Sequence, residues 1–176
     1  MDESGIEPAR FVGRCPIQGE INPWVKDNVL PQMAGILETH SSYEELLGDF
    51  AKFYLGNKAD AAIVVHCGVP VESSLLKDAH TMGFIGDWDG PFPLFDLAGM
   101  LAQAGENPTQ AGEYLKKYDL VCDSAEFEGG AHNPLFDSAV SAVMYRHLCA
   151  RRDGTERNGR LVPERDSGLG VALNRQ

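Results

Sequence analysis

Apolar positions along the chain recur with two periods. Ser41 and Ser42 precede Glu44 and Glu45 in a capping-box pattern. Behind them Leu46, Leu47, Phe50, Phe53 and Tyr54 share one helical face, and Gly56 and Asn57 stop that helix. Ala61 to His66 is a short unbroken apolar run, which predicts a strand buried on both faces. Cys67 to Pro70 breaks it, and Glu72 to His80 predicts a helix with Leu75, Leu76 and Ala79 turned inward. Pro93 to Leu97 predicts a second buried strand running into a helix through Met100 and Leu101. Thr109 to Lys117 is weakly helical. From Asp137 to Cys149, Val140, Val143, Met144, His147 and Leu148 keep helical spacing.

The N-terminal part carries weaker signals. Ala9 to Cys15 alternates loosely and predicts a strand after a turn at Asp2 to Gly5. In Ile21 to Pro31, Pro23 suits the first turn of a short helix and Pro31 ends it. Gly129 and Gly130 predict a flexible joint. Strands alternating with helices define the expected fold class, an α/β domain with a mixed or parallel sheet. No internal repeat is visible.

Charge divides the chain of 176 residues, whose net charge is −11. Residues 151–176 hold six arginines against four acidic residues, a net of +2, which leaves −13 on residues 1–150. We expect a domain over 1–150 and a flexible basic tail over 151–176. The acidic domain argues against gripping nucleic acid through a basic surface, though not against meeting phosphate through metal ions. No run approaches the roughly 18 apolar residues of a membrane span, and the first residues lack the basic and apolar regions of a signal peptide. A cytoplasmic protein with no membrane partner is expected. Cys15, Cys67, Cys122 and Cys149 form no CxxC pair, so free thiols are expected.

Two local patterns could carry chemistry. In Ala131-His-Asn-Pro-Leu-Phe-Asp137-Ser-Ala139, a histidine sits in a loop and an aspartate follows it five residues later at a helix start. Such a histidine can act as a general base, and such an aspartate can ligate a hard divalent metal. The plainer reading makes Asp137 a helix-start acid favoured by the dipole. In Ile63-Val-Val-His-Cys-Gly-Val-Pro-Val-Glu72, an acid follows the end of a buried strand, where α/β domains place ligands. His66-Cys67 has the look of a cysteine-phosphatase loop, but Ser73 stands where an Arg is needed to hold phosphoryl oxygens. Cys67 is therefore read as a buried, apolar-type cysteine, and Asp96 at its strand end as structural.

Taken together, these patterns resemble the DEDDh branch of the ribonuclease H-like 3′-to-5′ exonucleases. His132 to Ala139 is similar to the family's last motif. Val64 to Leu76 has the shape of its middle motif, with Glu72 where the family has Asp. Asn22 to Pro31 is similar to the segment after the third strand in short bacterial and phage members, and Pro93 to Leu97 to the Asp-Leu strand. The resemblance spans about residues 5–150. It implies a ribonuclease H-like mixed sheet flanked by helices, and hydrolysis of phosphodiester bonds at single-stranded RNA or DNA 3′ ends. Two Mg²⁺ or Mn²⁺ ions would be held by carboxylates including Asp137 and Glu72, with His132 as base and His66 and Asn133 touching substrate. A homodimer is also implied.

The family's first motif, Asp-x-Glu on a central first strand, has no counterpart on any candidate strand here. The chain is expected to enter the family's domain about two strands late, roughly twenty residues in. Glu is one methylene longer than Asp, a misplacement of about 1 Å that can cost on the order of a hundredfold in rate. Weak metal binding and slow or absent digestion are expected of this form. The alternative is a non-catalytic nucleic-acid-binding or protein-interaction module on a degenerate exonuclease fold.

Overall fold

The computed structural model describes residues 9–122, 130–152, 154, 156–157 and 160–161. Helix α1 (Pro23–Asn28) starts as its proline requires, with the Asn22 side chain accepting the Trp24 N–H at 2.9 Å. A 3₁₀ turn, Leu30–Met33, follows. Helix α2 (Tyr43–Asn57) is capped by Ser42, whose hydroxyl accepts the Glu45 N–H. The Glu45 carboxylate reaches back one residue further than a standard box, to the Ser41 N–H and hydroxyl at 2.7 Å each.

Strand β1 (Ile63–Val65) leads through helix α3 (Val71–Thr81) to strand β2 (Leu94–Asp96), which lies parallel to it. The register pairs Ile63 with Leu94, Val64 with Phe95 and Val65 with Asp96. The Gly68 turn after β1 is tight: a Cβ there would stand 2.6 Å from a Val65 methyl and force it to shift. Helices α4 (Leu97–Gln103), α5 (Ala111–Lys117) and α6 (Pro134–Arg152) follow. Residues 156–157 (β3) pair antiparallel with 160–161 (β4).

Successive β1 side chains point to opposite faces, and each meets a different core. Ile63 packs on the cluster of Leu47, Ala51, Tyr54, Ala79 and Ile85, which joins α2 and α3. Val64 packs on Leu97, Leu101, Tyr114, Val140, Met144 and Leu148, which joins α4, α5 and α6. The sheet thus sits between two helical layers. Fully buried Leu47, Leu97, Leu101 and Met144 each contribute about 1.5–3 kcal/mol by leaving water.

The described fold is α/β, with six α-helices and a two-stranded parallel sheet. Three expectations change. Ala9 to Cys15 forms no strand, because among the described residues no partner strand lies beside it. Phe11 instead joins His40, Phe50 and Phe53 in an aromatic group. The Arg14 guanidinium donates to the Met33 and Ile36 carbonyls, closing the 3₁₀ turn from outside. β1 is shorter than Ala61 to His66 and only half-buried, and β2 is not the buried strand expected over Pro93 to Leu97 either, since Leu94 and Asp96 are exposed: a two-stranded sheet leaves edges open. Helix α6 continues through Arg152, past the boundary expected at residue 150. The turn expected at residues 2–5 and the expected joint at Gly129 lie outside the described residues, as does most of the expected tail, within which the end of α6 and the β3–β4 pair are described.

Candidate functional site

The first chemical motif lies at the C-terminal end of the parallel pair. After β1 the chain turns through His66 and Cys67, and Cys67 adopts φ 58°. On the other strand Asp96 stands level with Val65 and caps α4, accepting the Ala98 N–H at 2.8 Å. Glu72 occupies the first turn of α3, half-buried. Burial pushes the Cys67 thiol pKa up, and the charges of Asp96 and Glu72 push it the same way. That disfavours a thiolate nucleophile, but Cys67 is exposed, so the buried, apolar-type cysteine expected there is not found.

The second motif lies at the start of α6. Asn133 caps the helix, its side-chain oxygen accepting the Leu135 N–H at 3.0 Å. His132 sits just outside at φ 74°, a region that costs a non-glycine residue on the order of 1–3 kcal/mol. The turn is held by the Asp137 carboxylate, which accepts the His132 backbone N–H at 3.1 Å. Asp137 is exposed as a residue, yet burial at its carboxyl end raises its pKa. The His132 N–H and the nearby charges of His132 and His66 pull the other way. Asp137 and His66 therefore share one electrostatic neighbourhood, although they stand on different elements.

His66 is tied down as well. Its Nε2 lies 2.7 Å from the Pro108 carbonyl, which only accepts, so Nε2 carries the proton. Asn133, expected to touch substrate, is turned inward. It is 2% exposed, and its Nδ2 donates to the Gln32 carbonyl at 3.0 Å. The Gly130 N–H donates to the Gln32 side chain at 3.4 Å.

Trp24 was not singled out by its chemistry in the sequence. Its ring meets the His132 ring edge-to-face at 5.3 Å, and the residue is 55% exposed. The only sequence signal was its place in Asn22-Pro-Trp, an exposed aromatic at the start of a short helix.

The metal expectation can be set against these donors. Among the described residues, no group of three or more His, Cys, Asp or Glu is arranged to hold a metal ion. Two carboxylates, Asp137 and Glu72, are too few ligands for a pair of divalent ions, each of which takes about six oxygen donors. The described residues therefore do not fit a resident two-ion centre. Among them no helix is long and apolar enough to cross a membrane. Comparison of the chain with models of protein families, with curated proteins and with solved structures found no match.

Proposed function

We propose that the chain is a ribonuclease H-like exonuclease domain acting at the 3′ ends of single-stranded RNA or DNA. The observation that carries this reading is a convergence. The four segments behind the resemblance, at 22–31, 64–76, 93–97 and 131–139, are linked in pairs. Trp24 meets His132. Asp137 senses His66. Asp96 stands level with Val65, whose strand leads into the Glu72 helix.

In this reading His132, exposed and held beside Asp137, takes a proton from the attacking water. Trp24 offers an apolar wall on which a terminal base stacks. Asp137 and Glu72 are the carboxylates of the region, and the requirement for Mg²⁺ or Mn²⁺ rests on the resemblance alone. A second reading, a binding module without catalysis, draws on the incomplete donor set.

One experiment separates the two readings. A fluorescent single-stranded oligonucleotide is titrated with the chain, then incubated with Mn²⁺. The proposal expects saturable binding and slow, Mn²⁺-dependent shortening that Asp137→Asn reduces on the order of a hundredfold. Binding without shortening turns the assignment to the module, and absence of binding overturns both.

A further inference from the structure

We infer that Asn133 is a positioning residue that sets the distance between the Trp24 wall and the His132–Asp137 pair; its place in catalysis rests on the function proposed above. The inference starts from the two ends of one buried amide. The oxygen end belongs to α6, where it caps the Leu135 N–H. The nitrogen end leaves α6 and donates to Gln32, 101 residues earlier in sequence. An amide is the side chain that can do both, because it carries an acceptor and two donors at one tip. Burial at 2% exposure removes water as a competitor for either bond.

The two segments joined this way each carry one wall of the region. The Gln32 turn follows α1 directly, and α1 carries Trp24 in its first turn. The residue before Asn133 is His132, and the first turn of α6 carries Asp137. Gln32 adds a second tie through its side chain to Gly130. Among the described residues no backbone pairing in a sheet joins these segments. The distance between the Trp24 and His132 rings therefore depends on the amide tether and on packing. A cap alone needs only an acceptor, which Asp supplies as well as Asn. The donor end is the part that goes beyond stabilising a helix.

The test uses Trp24 emission in a Trp88→Phe background, where Trp24 is the single tryptophan. His132→Ala is introduced with and without Asn133→Asp, and the change in Trp24 emission is compared as a double-mutant cycle. Asp at 133 keeps the cap and loses the donor to Gln32. The inference expects the His132→Ala change to fall below about one third of its parental size in Asn133→Asp, measured at a temperature where that variant is folded by circular dichroism. Gln32→Ala, which keeps both ends of the Asn133 amide bonded, should reduce the change less. An undiminished change in Asn133→Asp overturns the inference. If Asn133→Asp fails to fold, Asn133→Ser serves, since it caps without reaching Gln32. Neither readout depends on cleavage, so a chain without nuclease activity leaves the result equally decisive.

Discussion

At the residue scale, Asp137 balances two opposing effects. Burial raises its pKa, and the His132 N–H and neighbouring imidazoles lower it by less. A carboxyl whose folded pKa lies above its unfolded value holds its proton more tightly when folded. Its contribution favours the fold at low pH and is lost as pH rises through that raised value. At neutral pH the charged form is therefore a small liability, which a functional role would explain. Asp137→Asn keeps an acceptor for the His132 N–H and removes the charge. It should change stability at pH 7 by less than about 1 kcal/mol in a denaturant titration, while the Mn²⁺-dependent rate collapses. A loss of several kcal/mol would make Asp137 a structural residue. The left-handed turn at His132 points the same way, since strain of this kind gathers where geometry serves chemistry.

At the scale of elements, local signals were readable and distant ones were not. The α2 cap followed from Ser41, Ser42, Glu44 and Glu45, because a capping box closes within a single turn of helix. Ser42→Ala should cost about 1 kcal/mol, read as a lowered melting temperature, and no change would remove the cap from the account. The α3 and α6 faces, and the β1–α3–β2 order, were equally legible from periodicity. Ala9 to Cys15 was not, because alternation says nothing about whether a partner strand stands alongside. The site divides likewise. His132 and Asp137 stood out because they lie close together in sequence. The Gln32 ties to Gly130 and Asn133 span 98 and 101 residues, and only packing brings such groups together. Asn133 lies in the expected loop but faces inward, since sequence does not reveal which way an amide turns.

At the scale of the whole molecule, the second core is locked by a buried acid that no sequence pattern announced. Glu106, its side chain 8% exposed, accepts hydrogen bonds from Lys117 at 2.7 Å, Arg151 at 3.1 Å and the Tyr118 hydroxyl. It thereby joins the loop after α4 to α5 and the end of α6. Burial opposes its charge, and the three donors outweigh that, holding its pKa at about 2 against an ordinary 4.5. A depressed carboxylate stabilises the fold above its unfolded pKa and loses that contribution as pH falls. Stability should therefore decline between about pH 4.5 and pH 2. Glu106→Gln should cost about 1–3 kcal/mol at pH 7 and flatten that decline, as acid titrations by circular dichroism would record. An unchanged acid profile would mean that other carboxylates govern it.

The acidity of residues 1–150, net −13, argues at first sight against a nucleic-acid partner. In the proposed function part of it belongs to the site, through Asp137 and Glu72, and the cations that would offset it are implied by the resemblance alone. Direct inspection of products tests this best. A 5′-labelled single-stranded oligonucleotide with a free 3′ hydroxyl is incubated with the chain and Mn²⁺, and its products are separated by length. The account predicts a slow ladder shortening from the 3′ end, absent with chelator and lost in His132→Ala. A ladder that persists in His132→Ala, or cleavage at internal positions, would contradict it.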